Sequence, residues 1–92
     1  MEKNNAAKVT VYTMNACPYC ERAKQLLTQK GVPYQEVRVA EEDDAAWEAL
    51  YKRSGMRTMP QIFVKRGTQE ELVGGYTELA ALNSQNGLDS LK

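Results

Sequence analysis

Two cysteines stand two residues apart in the short segment CPYC. Cys17 and Cys20 are the only cysteines of the chain, and a proline and a tyrosine separate them. Three kinds of chemistry fit a pair at this spacing: a structural zinc site, two inert buried thiols, or a redox pair that forms and breaks a disulfide. The surrounding sequence favours one of the three.

The zinc interpretation lacks ligands. A structural zinc ion takes about four ligands, whereas the chain has two cysteines and no histidine. A metal would need carboxylates or a second subunit, so we expect no metal cofactor. Inert buried thiols, which pack as small hydrophobes, are the simpler alternative. They fit less well because Cys17 lies between a predicted strand and a predicted helix, at the sheet edge where open α/β proteins bind ligands.

The redox interpretation has a physical mechanism. Pro18 suits the first turn of a helix because it lacks an N–H that would be unpaired there. Cys17 would then face free backbone N–H groups and the positive end of the helix dipole, and both favour the thiolate. Comparable sites lower the pKa of a thiol from about 8.5 to roughly 3.5–7.5, and the thiolate is the attacking species. The pattern therefore favours a redox pair in which Cys17 attacks and Cys20, one turn further along the helix, resolves the mixed disulfide.

The elements that hold this pair follow from hydrophobic periodicity and from turn residues. The predicted elements are a strand at 8–13, a helix from Pro18 to a stop at Gly31, a strand at 34–40, a helix at 41–55, strands at 60–65 and 70–73, and a third helix from Tyr76. A strand–helix–strand crossover pairs the first two strands in parallel, and the last two strands form an antiparallel hairpin. The order β-α-β-α-β-β-α predicts an α/β fold, with a four-stranded mixed sheet and helices on both faces.

Composition limits the location and the partners of the chain. Its 92 residues suffice for one domain, 1–92, of which the polar start, 1–7, is expected to fray. Twelve basic and twelve acidic side chains cancel, so no net field attracts nucleic acid or an anionic membrane. The chain has no apolar run of membrane length, and its start lacks the apolar core of a signal peptide. We expect a cytoplasmic protein, in a reducing compartment where a close cysteine pair needs a working role.

Four segments in register resemble the dithiol glutaredoxins of the thioredoxin superfamily. They are CPYC at 17–20, TMPQIF at 58–63, GGYTEL at 74–79 and NGLDSL at 86–91. Together they span nearly the whole chain after its first residues. The resemblance implies a thioredoxin-like fold and a monomeric, glutathione-dependent thiol–disulfide oxidoreductase. Its partners would be glutathione and proteins that carry disulfides or are glutathionylated.

The resemblance also implies a glutathione site. Pro60 corresponds to the cis-proline of the family and would place the backbone of Met59 beside the Cys17 sulfur. Residues 75–77 align with the loop and helix start that hold the γ-glutamyl end, and Arg57 is the candidate for the glycine carboxylate. The implied glutathione-binding residues are Tyr19, Arg57, Thr58, Met59, Pro60, Gly75, Tyr76 and Thr77.

The chain departs from the family pattern at three positions that usually carry polar or charged side chains. Met14 stands where a lysine is common, Trp47 where the second helix is often polar or basic, and Thr77 where an Asp or Ser is usual. Fewer charged contacts predict weaker glutathione binding. They leave open a redoxin reduced by thioredoxin reductase. A carrier of a glutathione-ligated iron–sulfur cluster is a further alternative, although Pro18 and Tyr19 resemble the redox group more.

Overall fold

The structure is a computed structural model, and it describes residues 7–92. This part of the chain contains four strands and three α-helices. The elements are β1 (Lys8–Thr13), α1 (Pro18–Gln29), β2 (Tyr34–Arg38), α2 (Asp44–Ser54), β3 (Gln61–Arg66), β4 (Gln69–Gly74), α3 (Tyr76–Ser84) and a final 3₁₀ helix (Gly87–Leu91). The predicted order of strands and helices is confirmed. The frayed segment predicted at 1–7 lies, except for Ala7, outside the described residues. No helix within residues 7–92 is long and apolar enough to cross a membrane.

The sheet is mixed, with the strand order β2-β1-β3-β4. β1 pairs with β2 in parallel and with β3 in antiparallel register, where Val11 lies opposite Ile62. β3 and β4 form the predicted antiparallel hairpin, in which a register shift places Gly74 opposite Ile62. β2 ends at Arg38 rather than at Ala40, which the sequence predicts as its last residue. The α/β fold class and the four-stranded mixed sheet are confirmed.

The two faces of the sheet carry separate hydrophobic clusters. Because successive side chains of a strand point to opposite faces, Ile62 and Phe63 of β3 enter different clusters. The larger cluster joins the sheet to α1 and α3, and contains Val9, Val11, Ala23, Leu27, Val32, Ile62, Val64, Leu79, Leu88 and Leu91. The smaller cluster lies on the α2 face, and contains Cys17, Cys20, Val39, Leu50, Met59 and Phe63. Helices therefore cover both faces, and the cysteine pair belongs to the smaller core.

Helix α2 begins three residues later than the sequence predicts. The acidic run suggested a start at Glu41, whereas the first helical residue is Asp44. Asp43 is the N-cap, and its carboxylate accepts a hydrogen bond from the backbone N–H of Ala46 at 3.1 Å. A capping carboxylate satisfies an N–H that has no partner within the helix. Glu41 and Glu42 therefore lie in a turn, and Gly55, as the C-cap, terminates the helix as predicted.

A glycine pair joins β4 to α3. Gly74 has φ +125°, and a Cβ at this position would lie 2.8 Å from Cγ of Glu78. The Glu78 carboxylate accepts a hydrogen bond from the backbone N–H of Gly75 at 2.8 Å, at the start of α3. A Cβ on Gly75 would lie 3.4 Å from the carbonyl oxygen of Pro60. The turn therefore requires glycine at residue 74, and it brings the start of α3 close to Pro60.

We expect Gly74→Ala to lower the free energy of unfolding by about 1–3 kcal/mol, since the new side chain meets both an unfavourable φ and the Glu78 side chain. Gly67→Ala is the matched control. Gly67 also has a positive φ, +61°, but a Cβ there would meet nothing within 4 Å. Its loss should stay near the backbone cost of about 1–2 kcal/mol. Urea denaturation followed by circular dichroism measures both, and equal losses would contradict a steric role for Glu78.

Candidate active site

Cys17 is the N-cap residue of α1. Its backbone is extended, with φ −122° and ψ 95°, and its Sγ accepts a hydrogen bond from the backbone N–H of Cys20 at 3.2 Å. Pro18 occupies the first position of the helix, where no N–H is needed. The Cys17 sulfur therefore lies at the end of α1 where backbone N–H groups have no helical partner and where the dipole is positive.

The two cysteines form a disulfide in the structure, so the pair is described in its oxidised form. Their Cα atoms are 5.2 Å apart, across the first turn of α1. Cys17 is 8% exposed and Cys20 is 1% exposed. Reduction would leave two thiols on residues of unequal exposure, of which Cys17 is the less buried.

The backbone before β3 lies against the Cys17 sulfur. The peptide bond between Met59 and Pro60 is cis, and both residues are buried. The carbonyl oxygen of Met59 lies 3.7 Å from the Sγ of Cys17. Thr58 and Arg57, which precede them, are exposed. A peptide-like group that reaches Cys17 would therefore run beside the Met59 backbone.

Two tyrosines connect the cysteine pair to the start of α3. Tyr19 is 55% exposed, and its ring centroid lies 5.9 Å from that of Tyr76, with an angle of 32° between the ring planes. The guanidinium of Arg22 lies 5.1 Å from the Tyr19 centroid. Gly75 is buried near Pro60, and Thr77 is exposed on the first turn of α3. The segments CPYC, TMP and GGYT thus meet at one edge of the sheet.

Arg57 stacks on an aromatic side chain of the preceding helix. Its guanidinium carbon lies 3.8 Å from the ring centroid of Tyr51 in α2. Such stacking holds the guanidinium over the face of the ring. Its N–H donors lie in the plane of the guanidinium and can still bind a carboxylate. Tyr51 is a neighbour of Arg57 that was not predicted, because a spacing of four residues from Trp47 on a helix indicates packing.

Met14 and Trp47, two of the departures from the pattern that the sequence resembles, are packed in this chain. Both are partly buried against the smaller hydrophobic cluster. The indole N–H of Trp47 donates a hydrogen bond to the carbonyl oxygen of Ala40 at 3.0 Å. Neither side chain offers a charge to a bound anion at these positions.

A polar network beside the site was not predicted. The buried hydroxyl of Thr13 donates to the Glu36 carboxylate at 2.7 Å, and Lys24 and Arg38 contact that carboxylate at 3.2 and 3.1 Å. Arg38 also donates to Oδ1 of Asn15 at 2.8 Å. The Thr13 hydroxyl is the main cause that lowers the pKa of Glu36 to about 2, with the two cations adding to the effect and burial opposing it. The network ties β2 and α1 to the loop that leads into the redox pair.

We expect Glu36→Gln to lower the free energy of unfolding by about 1 kcal/mol at neutral pH, after solvent screening. The folded-state pKa of about 2 lies below the ordinary value of 4.5. The stabilisation is therefore fully present above pH 4.5 and is lost as the pH falls through 2. Urea titrations of both proteins across this window measure the difference. Glu48→Gln, at an exposed position of α2, is the control, and a Glu36 effect that persists undiminished at pH 2 would contradict the assignment.

Comparisons with known proteins place this geometry in a family. A family model described as Glutaredoxin matches residues 9–68. Glutaredoxin 3 of Escherichia coli K12 is 45% identical over 85 residues, which cover 92% of this chain and 96% of that protein. A glutaredoxin of Neisseria meningitidis serogroup A is 44% identical over 84 residues, 90% of this chain and 93% of the relative.

Solved structures agree with the sequence matches. The solution structure of a glutaredoxin from Brucella melitensis superposes with a TM-score of 0.76 and 39% identity, over 95% of this chain and 89% of the other. A buckwheat glutaredoxin–glutathione complex gives a TM-score of 0.77 and 27% identity, over 95% and 77% of the two chains. With its cysteine pair at the start of α1, the chain belongs to the glutaredoxin family and is a thiol–disulfide oxidoreductase.

Proposed function

We propose that the chain uses glutathione as its reductant, and reduces protein disulfides and glutathionylated proteins through Cys17 and Cys20. The observation that carries this proposal is the position of the Cys17 sulfur. It accepts a backbone N–H at the start of α1, belongs to the less buried of the two cysteines, and lies 3.7 Å from the Met59 carbonyl oxygen. The Cys17 sulfur can thus be stabilised as a thiolate by the start of α1, and it lies beside a length of backbone with which a peptide could pair.

In the proposed reaction, the thiolate of Cys17 attacks the glutathione sulfur of a glutathionylated protein. The protein thiolate leaves with the electron pair of the broken S–S bond and takes a proton from solvent. Glutathione, now joined to Cys17, is released when the thiolate of a second glutathione attacks its sulfur. The products are the reduced protein thiol and glutathione disulfide, and Cys17 returns as a thiolate. The backbone N–H of Cys20 stabilises this anion before attack and after release.

For a protein disulfide, Cys20 has the resolving role. Cys17 attacks one sulfur of the substrate, and Cys20 then attacks Cys17 and displaces the reduced protein. This step leaves the Cys17–Cys20 disulfide that the structure contains. Two glutathione molecules restore the dithiol and supply the two electrons. All bond changes occur between sulfur atoms, so the proposed cycle needs no metal ion.

We place glutathione between the backbone of Thr58 and Met59 and the start of α3. The exposed N-terminal turn of α3 suits a carboxylate, and the stacked Arg57 offers a charge to the other end of the tripeptide. The buckwheat relative is in complex with glutathione, which supports the same ligand here. Tyr19, Pro60 and residues 75–77 would complete the walls of this site.

Reduction by thioredoxin reductase is the second candidate for the electron supply. Met14 and Trp47 support it, because packed side chains fill the positions where the resemblance implies a lysine and a polar or basic residue. We further propose that the chain forms one domain and acts as a cytoplasmic monomer. The balanced charge of the chain supports this location, because it gives no net attraction to an anionic membrane.

Turnover of a glutathionylated peptide by Cys17→Ser and Cys20→Ser tests the proposed roles. We expect Cys17→Ser to abolish turnover, since Cys20, the only other cysteine, is 1% exposed. Cys20→Ser should retain it, because glutathione resolves the mixed disulfide without Cys20. NADPH oxidation coupled through glutathione and glutathione reductase should exceed oxidation coupled through thioredoxin reductase. A larger loss in Cys20→Ser would overturn the assigned roles, and faster reduction by thioredoxin reductase would overturn glutathione as the reductant.

A further inference from the structure

Gln61, the first residue of β3, is fully buried beside the active site. Its side chain has no solvent exposure, although glutamine is usually a surface residue. The side-chain Nε2 donates two hydrogen bonds, each of 3.1 Å, to the carbonyl oxygens of Met56 and Thr58. Oε1 is buried and has no hydrogen-bond partner among the described residues. A buried amide with one satisfied end and one unsatisfied end calls for an explanation.

The orientation of this amide follows from its neighbours. Carbonyl oxygens accept hydrogen bonds and cannot donate, so only the NH₂ end of Gln61 can bind the two carbonyls of Met56 and Thr58. The alternative orientation would set three oxygens against one another. Gln61 therefore acts through its two N–H donors. Its buried Oε1 has no hydrogen-bond partner among the described residues, which is unfavourable for stability.

The two bonds fold the segment between α2 and β3. This segment, 56–58, is also held at its start, where the backbone N–H of Met56 donates to Oγ of Ser54 at 2.9 Å. Gln61 holds its other end, at the carbonyl of Thr58, immediately before Met59. The segment carries Arg57, whose guanidinium stacks on Tyr51. One buried amide thus fixes the path of the backbone that forms one wall of the proposed glutathione site.

We propose that Gln61 is a positioning residue for glutathione. It fixes the segment 56–58, and thereby the Arg57 side chain and the Met59 backbone, without touching the ligand. Gln61 acts on binding and not on the nucleophile, because its bonds reach neither cysteine. The inference rests on the proposed function and extends it to a residue that the sequence analysis leaves without a role.

Gln61→Met tests the role of the donors, since methionine has nearly the same length and flexibility but no N–H. We expect the KM for the mixed disulfide of glutathione with a short peptide to rise about tenfold, the effect of losing one well-placed interaction. The kcat should change by less than about twofold, as for a loss of uniform binding. The alkylation rate of reduced Cys17 should stay unchanged. The thermal midpoint should change little, because removal of the buried unpaired Oε1 offsets part of the loss of the two hydrogen bonds.

Gln61→Glu separates the lost donor from the changed polarity. Glutamate keeps the shape and the buried Oε1 of Gln61 but has a second oxygen in place of the NH₂ and, when ionised, has no hydrogen to donate. A rise in KM in both variants supports the proposal. A rise in the glutamate variant alone would assign the effect to a buried charge and overturn the proposal. Gln69→Met, at an exposed position of β4, is the matched control for the substitution itself and should alter none of these quantities.

The same peptide joined to cysteine instead of glutathione distinguishes the two possible failures. If the wild-type protein shows no preference for the glutathione adduct, the proposed function itself fails. If the wild type prefers that adduct and Gln61→Met keeps the full preference with an unchanged KM, the positioning role of Gln61 fails while the proposed function stands. A fall in kcat with an unchanged KM would likewise overturn the positioning role.

Discussion

The hydrogen bond from the backbone N–H of Cys20 to the Sγ of Cys17 is the interaction on which the proposed chemistry depends. It exists because Cys17 is the N-cap of α1 and Pro18 is the first helical residue. A thiol at this position gains from ionising, since an anion satisfies helix N–H groups that otherwise have no partner. The same short segment therefore starts the helix and would activate the nucleophile.

The remainder of the fold holds this helix end against two other segments. The smaller hydrophobic cluster packs the cysteines against Met59 and Phe63, and so holds the start of α1 against β3 and the residue before Pro60. The glycine pair before α3 allows a close approach to Pro60. A buried side chain also fixes an exposed segment, because Gln61 donates hydrogen bonds to the backbone carbonyls on either side of Arg57. The proposed binding surface is thus supported partly by residues such as Phe63 and Gln61, which lie outside the proposed ligand contacts.

The sequence was sufficient to predict the architecture because its signals are local. Alternating valines, the proline after Cys17 and the glycines after α1 and α2 each mark an element, and their order leaves few topologies. The predicted start of α2 was wrong because each of the four consecutive acids, 41–44, could serve as the N-cap. In the structure Asp43 is the N-cap. Gln61 and Glu36 were missed for a different reason. Their hydrogen-bond partners lie on other segments or around a turn. Glutamine and glutamate are usually surface residues, so neither residue type predicts a buried hydrogen-bond network. The segments resembling glutaredoxins predicted a candidate site, but not the hydrogen bonds that support the backbone around it.

The pKa of the Cys17 thiol in the reduced Cys20→Ser variant tests the central claim most directly, because Cys17 is then the only thiol and the backbone N–H of residue 20 is kept. The pH dependence of thiolate absorbance in the ultraviolet, or of alkylation by iodoacetamide, gives the midpoint. Stabilisation by the start of α1 predicts a midpoint well below the value of about 8.5 for a free thiol. A midpoint at or above that value would contradict activation of Cys17 by the helix.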